Sequence, residues 1–228
     1  MTTSPPEGGR RRPGPAPRLS RDLIAEAVLG VGFEEVTVTA VAQRLSATHA
    51  ALYRHVTDRD DLVRAAVERV ADRAPQPELG PDWDQLLRGE AWVRWRIFTE
   101  YPGIRQAVAG LSWSTDPFGA RSLPVIRHLI SLGFPAEAAL LATDVVIDMV
   151  DESAVTAVDT RRLGPEAVGQ RIQDSFPDPE LDTDLRRIAF QAMVEDQDVW
   201  FGNKLDVVLA GIRVTLAPGT AGTPTGDA

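Results

Sequence analysis

The most distinctive chemistry in this sequence lies in residues 48–56, where small, aromatic and basic side chains alternate with apolar ones. Thr48 can cap a short helix in which Leu52 and Val56 point inward. The same helix then turns four side chains outward: His49, Ala50, Tyr53 and Arg54. A short helix with such a surface is suited to enter the major groove of DNA.

A second short helix precedes this one and is predicted to brace it. Thr37 stands where an N-cap belongs. Four apolar residues follow at the i, i+3, i+4, i+7 spacing of one buried face: Val38, Val41, Ala42 and Leu45. Ser46 and Ala47 leave room only for a tight connection. Two short helices packed across a tight turn indicate a helix-turn-helix.

This segment closely resembles the DNA-binding domain of the TetR family of bacterial transcriptional regulators. The residues that carry the resemblance are Thr37, Val41, Ala42, Leu45, the run Ala51-Leu52-Tyr53-Arg54-His55-Val56, Arg59, Asp61 and Leu62. The Leu-Tyr-Arg-His tetrad is the specific part, because a generic helix-turn-helix does not require it. Two features depart from the family pattern. Ser46 replaces the usual glycine of the turn. The first helix, predicted over about Arg21 to Val31 with Ser20 as its N-cap, is about one turn shorter than usual before Gly32.

The resemblance implies a role for each outward residue. His49 and Ala50 would face base edges, and Tyr53 and His55 would meet phosphates. Arg54 could do either, since its planar fork also suits the O6 and N7 atoms of guanine.

Three further residues complete the predicted DNA-binding set. Thr48 can offer its hydroxyl and backbone N–H to a phosphate at the helix N-terminus. Arg59 matches a basic position of the family that contacts the DNA backbone, and Thr37 lies at the start of the preceding helix.

The composition favours a folded protein of one or two domains. The chain has 228 residues, 43% of them hydrophobic, and no cysteine, so disulfides are excluded. Its first residues have no apolar segment typical of a secretory signal, and no stretch approaches the roughly 20 apolar residues of a membrane span. We therefore expect a cytoplasmic protein without membrane contact.

The net charge of −9 argues against nucleic acid until its distribution is considered. Residues 1–64 have a balance of +1, whereas residues 65–228 have a balance of −10. The acidic residues therefore lie mostly away from the predicted DNA face, and the local field decides phosphate binding.

The chain is predicted to divide at the Pro75–Pro81 break. Residues 1–18, rich in Pro, Gly and Arg, would be a disordered basic arm that is either a solvated tail or follows the DNA phosphates. Residues 19–74 would form the helix-turn-helix domain, residues 82–217 a helical ligand-binding and dimerisation domain, and residues 218–228 a tail. Thr57 and Asp60 are predicted to form a capping box at the fourth helix.

The part after the break favours helices throughout, so the predicted fold class is all-α. Expected helices cover residues 83–100, a short stretch after Pro102, a segment ending near Gly133, then 136–158, 183–194 and 197–216. Residues 159–182 are expected to be an irregular connection. This order resembles the tetracycline-repressor branch of the family, although its metal-binding histidine is missing where Ala107 and Val108 stand.

Two groups of residues are candidates for a small-molecule site. Trp92, Trp95 and Phe98 recur every three residues and form either core packing or the wall of an apolar cavity, to which Trp113 could add. Asp144, Asp148, Asp151 and Glu152 recur along one helix and form either a solvated stripe or a stripe with one or two carboxylates that face the cavity. His128 is the histidine nearest to them and joins the candidate ligand-binding set. We predict no metal and no cofactor.

The last helix carries a continuous apolar stripe: Phe201, Leu205, Val208, Ile212 and Leu216, widened by Leu209. The stripe is either monomer core or the dimer interface of a four-helix bundle, which the resemblance favours. Gly202 and Gly211 would then permit close approach of the partner.

The function predicted from these features is a ligand-responsive regulator, a repressor, that binds a pseudo-palindromic double-stranded DNA operator as a homodimer. The alternative is a small-molecule sequestering or protein-interaction module whose head does not bind specific DNA. An α-helical hydrolase is a weaker option, since the sequence lacks HExxH, a glycine-rich phosphate loop and G-x-S-x-G. We therefore expect no enzymatic activity.

Overall fold

The computed structural model describes residues 19–111, 117–178 and 183–219, and this part of the chain is helical and contains no strand. Its helices in chain order are α1 (Arg21–Val31), α2 (Val38–Arg44), α3 (His49–Leu52), α4 (Arg59–Arg73), α5 (Trp83–Glu100), α6 (Ile104–Ala109), α7 (Pro117–Ser131), α8 (Ala136–Ser175), α9 (Thr183–Phe190) and α10 (Gln197–Thr215). A π-helical turn, Gln191–Glu195, continues α9. The predicted all-α fold class is confirmed.

Side-chain caps fix the starts of the first three helices. The side-chain oxygens of Ser20, Thr37 and Thr48 each accept a hydrogen bond from the backbone N–H three residues later in the chain. These three bonds measure 3.0–3.2 Å and satisfy donors that a helix N-terminus leaves free. The predicted N-caps are confirmed, and α3 proves to be a single turn.

The turn between α2 and α3 keeps glycine-like geometry without a glycine. Ser46 has a φ of +50°, in the left-handed region. Its N–H donates to the carbonyl of Gln43 at 3.1 Å, and the N–H of Ala47 donates to that of Ala42 at 2.9 Å. This pair of bonds is a Schellman motif, which ends α2 and turns the chain sharply into α3. The departure from the family glycine therefore leaves the turn intact.

The capping box of α4 lies one residue away from its predicted position. Asp58, not Thr57, is the N-cap, and its Oδ1 accepts from the N–H of Asp61 at 2.8 Å. Asp61 reciprocates by accepting from the N–H of Thr57 at 2.9 Å. The prediction of Thr57 and Asp60 was wrong because Thr57 precedes the cap and only Asp61 can reach back across the first turn.

Helix α4 connects the helix-turn-helix head, α1–α3, to the remaining helices. Its apolar face is buried: Leu62, Val63, Ala66, Val67 and Val70. The head packs on α4 through α1, and two arginines of α4, Arg69 and Arg73, pair with Glu26 of α1. The buried core continues from the head through α4 into the C-terminal helices without a gap.

The C-terminal part is a bundle in which α5, α7 and α10 pack around α8. The short α6 packs instead on α4. Helix α5 has its predicted bounds, because Asp82 caps it and Pro81 precedes it. Pro124 lies inside α7.

The expected irregular connection over residues 159–182 was wrong. Helix α8 continues to Ser175, interrupted only at Gly164, where φ is +79° and ψ is 159°. Pro165 then begins a second helical segment, because its fixed φ suits the first turn of a helix. Val168 and Ile172 of that segment are buried. Residues 179–182 lie outside the described part of the chain.

Ser46→Gly should stabilise the protein by about 0.5–1 kcal/mol, because it removes the cost of a left-handed conformation in an L-residue. Chemical denaturation would measure the change as a higher midpoint at an unchanged slope. Gln43→Gly, one turn earlier within α2, is the matched control and should destabilise the protein by about 1 kcal/mol. A decrease in stability for Ser46→Gly would contradict the assigned turn.

The pairing of α1 with α4 should depend on pH. The hydrogen bond from Arg69, and then that from Arg73, lowers the pKa of Glu26 below its ordinary value, although burial opposes the shift. A carboxyl group with a lowered pKa in the folded state contributes stability above its unfolded pKa and loses it as the pH falls through the folded pKa.

Glu26→Gln should therefore reduce the free energy of unfolding at pH 7, by at most about 1 kcal/mol because the pair is solvent-exposed. The difference from the unmutated protein should shrink as the pH falls below about 4. Urea denaturation at a series of pH values would measure it. Glu35→Gln, at an exposed position of the following turn, should show no such trend. A difference that is constant with pH would argue against the pairing.

Candidate DNA-binding surface and ligand cavity

The predicted recognition helix is anchored by two buried residues. Leu52 is fully buried and Val56 nearly so, as their spacing predicted. They hold α3 and the turn after it against the core of the head. The opposite side of this segment is therefore fixed in place and directed to solvent.

The side chains predicted to meet DNA all lie on that outer side. His49, Ala50, Arg54 and His55 are exposed, and Tyr53 is 51% exposed. No residue in the described ranges forms a hydrogen bond or an ion pair with the side chains of Tyr53, Arg54 or either histidine. Their donors and acceptors are thus open to a partner molecule.

The other three predicted DNA contacts have structural roles as well. The hydroxyls of Thr37 and Thr48 cap α2 and α3, and each keeps its own proton for donation. Arg59 is more constrained. Its Nε donates to the carbonyl of Val36 at 3.3 Å, and its Nη1 lies 3.5 Å from Asp60. Arg59 therefore ties the start of α4 to the end of the α1–α2 turn.

A small cavity lies between α5, α7 and α8. Most of its lining is apolar: Leu87, Ala91, Val93, Ile97, Phe118, Val125, Val146, Ile147 and Val150. The cavity volume is about 30 Å³, whereas pockets for drug-sized ligands measure roughly 300–1,000 Å³. A ligand of that size therefore requires the helices around the cavity to move apart.

Two nearly buried ion pairs interrupt the apolar lining. The guanidinium of Arg121 in α7 binds both carboxylate oxygens of Glu90 in α5, at 2.8 and 3.0 Å. The guanidinium of Arg94 in α5 binds both carboxylate oxygens of Asp151 in α8, at 2.5 and 2.9 Å. Such forked pairs fix side-chain orientation as well as charge. The cavity therefore presents two oriented guanidinium groups in apolar surroundings.

The predicted tryptophan wall faces away from this cavity. The ring of Trp95 stacks on that of Phe201 at 4.3 Å, and Trp92 meets the same ring edge-on at 4.8 Å. The indole N–H of Trp95 donates to Asp198 at 2.8 Å. Both tryptophans therefore pack against α10, and Trp95 borders a separate depression of about 70 Å³. Of the two alternatives for this stripe, the structure favours core packing.

The other candidate ligand residues are also displaced from the cavity. Phe98 lies behind it, edge-on to Phe118 and beneath Arg94. Asp144, Asp148 and Glu152 are exposed on the outer side of α8 and form the solvated stripe, whereas Asp151 of the same predicted set pairs with Arg94 at the cavity. The Nε2 of His128 lies 2.7 Å from the carbonyl oxygen of Gly80 in the connector between α4 and α5. Trp113 lies outside the described residues.

The sequence interpretation named Asp151 as one of four carboxylates that could face the cavity, but it missed Glu90, Arg94 and Arg121. Glu90 and Arg94 are four residues apart on α5 and share a face with Ile97, whereas the tryptophans define another face. Helix α5 is buried on two sides and therefore has two apolar faces. The sequence interpretation assigned the ligand site to the face that carries the tryptophans, whereas the cavity lies on the other face. Charged residues within a mostly buried helix were the signal that could have identified the cavity.

Larger depressions exist, but they are open grooves. One of about 310 Å³ lies between the head and α6, and one of about 510 Å³ lies between the end of α8 and α9. Across the described ranges, no group of three or more His, Cys, Asp or Glu residues is placed to hold a metal ion. No helix there combines the length and the apolar character needed to cross a membrane.

Comparison with known proteins identifies the fold. No family model matches the chain. A curated relative, described as an HTH-type transcriptional regulator from Saccharopolyspora erythraea, is 27% identical over 157 residues. The match covers 66% of this chain and 66% of the relative, slightly less than two thirds of its length.

Solved structures agree over most of the chain. A possible TetR family transcriptional regulator from Streptomyces coelicolor superposes with a TM-score of 0.70 at 18% identity, covering 85% of this chain and 98% of its own. The TetR family protein ActR from the same organism, in complex with actinorhodin, superposes with a TM-score of 0.62 at 21% identity, covering 86% and 97%. The resemblance recognised in residues 37–62 thus extends to the whole architecture, and the chain has the fold of the TetR family of transcriptional regulators.

Proposed function

We propose that the protein is a ligand-responsive transcriptional regulator, a repressor, that binds a pseudo-palindromic operator as a homodimer and is released by a small molecule. One observation carries this proposal. Side chains suited to DNA stand exposed and unengaged on a helix-turn-helix whose apolar residues are buried, in a chain with the TetR-family fold.

The DNA side of the proposal rests on the surface of α3. His49 and Ala50 lie in its first turn and would face base edges, while Tyr53 and His55 would bind phosphates. Arg54 is exposed and carries a guanidinium fork that can read guanine. The balance of +1 over residues 1–64, in a chain of net charge −9, supports this placement of the phosphate contacts.

The ligand side rests on the cavity between α5, α7 and α8. An apolar lining with a few oriented polar groups is the usual composition of a small-molecule site. ActR, which shares the fold, has been crystallised with actinorhodin. We place the effector of this protein in the cavity, which it must enlarge in order to bind. A ligand can shift the equilibrium only if it prefers one head arrangement over the other.

The proposed dimer interface differs from the predicted apolar stripe. Phe201, Leu205 and Ile212 are buried within one chain, and Gly202 lies under Trp92. On the other side of α10, four exposed residues follow helical spacing: Val207, Ala210, Gly211 and Val214. Helix α8, which packs on α10, has three exposed apolar residues in its first turns: Leu140, Leu141 and Val145. An exposed apolar patch of this kind on two neighbouring helices favours a four-helix interface across a two-fold axis.

The proposal also includes a division into domains and a location in the cell. The DNA-binding domain is the head, residues 19–74, and the ligand-binding and dimerisation domain comprises residues 82–217. The first 18 residues are a basic arm that binds DNA. A regulator of this type acts beside the chromosome in the cytoplasm and has no catalytic role.

Selection of binding sites from a random duplex library with the full chain tests the DNA-binding half. We expect enrichment of a pseudo-palindrome, because two heads on a two-fold axis need two half-sites. Arg54→Ala should weaken binding by about 1–3 kcal/mol on the selected site and by much less on random DNA.

Removal of residues 2–18 should weaken binding to the selected site and to random DNA by similar factors. It should also lower the slope of log affinity against log salt concentration by roughly one unit per lost phosphate contact.

Failure to enrich any sequence would contradict the proposal. Retention of small-molecule binding in that case would favour the alternative of a sequestering module. An unchanged salt slope after removal of the arm would show that these residues are only a tail.

The double variant Val207→Glu, Val214→Glu should convert the dimer to a folded monomer, because the two side chains are 73% and 72% exposed and would place charge in the interface. Sedimentation velocity at micromolar concentration would measure the change. Leu123→Glu, exposed on α7, is the matched control and should leave the dimer intact. Leu205→Glu should instead unfold the chain, since Leu205 is fully buried. A monomeric unmutated protein would contradict the proposed assembly.

A further inference from the structure

Arg121 connects the cavity to the end of α4. Its side chain is 11% exposed and lies in the cavity wall, where it pairs with Glu90. The same Nη2 that binds Glu90 also donates to the backbone carbonyl of Pro75. Pro75 is the second residue after α4, which carries the head. One guanidinium therefore contacts both the ligand cavity and the connector that leaves the head.

Helix α7 holds this connector at both ends. Arg121 binds Pro75 at the start, and His128, two turns later on α7, binds the carbonyl of Gly80 near the end. Between these points the connector has one internal backbone hydrogen bond, from Gly80 to Glu78. The position of the connector thus depends on α7, and loss of the Arg121 bond would release the end adjacent to α4.

Two arginines of the cavity lining, Arg94 and Arg121, each keep one guanidinium nitrogen that no described residue binds. The hydrogen bonds of Arg121 engage its Nε and Nη2, and those of Arg94 do the same. The Nη1 atoms of both residues have no acceptor within the described ranges. Guanidinium groups in a mostly apolar lining favour a ligand with an acidic oxygen group, and the two oxygens of a carboxylate match two N–H donors of one guanidinium.

We propose that the effector is an apolar acid whose acidic group competes with Glu90 for Arg121, and that this exchange withdraws Arg121 from Pro75 and frees the end of α4. The inference rests on the proposed function, since it specifies the ligand class and the regulation of the same cavity. Glu90 can turn toward solvent when it is displaced, because its side chain is already 19% exposed. Arg121 then remains paired with one carboxylate, that of the ligand, while its contact with the connector is lost.

A matched pair of probes tests the ligand class. 2-Naphthoate and 2-naphthamide have nearly the same size and shape but differ in charge, and calorimetric titration would compare their binding to the full chain. We expect the acid to bind at least tenfold more tightly than the amide. Glu90→Gln should strengthen acid binding severalfold, because the competing carboxylate is gone. Equal affinity of acid and amide, no binding of the acid, or weaker acid binding by Glu90→Gln would each overturn the proposal.

Hydrogen–deuterium exchange of the amides in residues 70–80 tests the coupling. The acid should accelerate exchange there in the unmutated protein. Arg121→Met should show fast exchange without ligand and lose the preference for the acid, and Arg121→Lys should restore part of the protection. Arg127→Met, at an exposed site on the same helix, is the control and should behave like the unmutated protein.

Bound acid with unchanged exchange in residues 70–80, or normal protection in Arg121→Met, would overturn the coupling. Neither measurement involves DNA. A failure of the DNA-binding proposal is therefore distinguishable from a failure of this one.

Discussion

The burial of one helix, α4, on two sides is the constraint on which the rest of the structure depends. Its apolar residues, from Leu62 to Val70, pack against α1 of the head, and the same buried core continues into the C-terminal helices. The arginine pairs with Glu26 add orientation to this packing. Close-packed interiors do not deform gradually. We therefore expect a displacement at the C-terminal end of α4 to move the head as a unit.

The head is also restrained at a second point, the α1–α2 turn. Glu34 of that turn pairs with Arg162 at the end of the first segment of α8. Gly103, with φ of +84°, lies directly against it, because a Cβ there would stand 2.5 Å from the Cγ of Glu34. Only glycine permits both this conformation and this approach. The first residue of α6 follows Gly103, so the position of α6 is linked to that of the head as well as to α4.

Helix caps and apolar periodicity were sufficient to predict most helices, but not which elements each helix packs against. Ser20 and Asp82 mark the starts of α1 and α5, and the bounds of both helices agree with the sequence. Leu205 and Ile212 were recognised as one apolar stripe, yet a stripe does not reveal whether it packs on its own chain or on a partner. The extension of α8 was missed because Gly164 and Pro165 are typical of a helix end, whereas here they interrupt a helix for one residue.

The candidate site shows the same limit of sequence reasoning. The exposed residues of α3 could be predicted, since Leu52 and Val56 alone fix which side faces inward. The cavity could not, because it requires three helices that are distant in sequence. Glu90, Arg121 and Asp151 acquire their roles only through partners on other helices. Long-range ion pairs of this kind leave no periodic signal in a single sequence.

The spacing of the two heads in the proposed dimer tests the central claim, that the state of the cavity reaches the head through α4. The chain has no cysteine, so a single introduced cysteine at Glu35, exposed in the α1–α2 turn, can carry a spin label for pulsed distance measurements. A selected operator duplex should narrow the distance distribution to one population. Arg121→Met, without any ligand, should shift the distribution away from that population. An identical head spacing in Arg121→Met and in the unmutated protein would contradict the account.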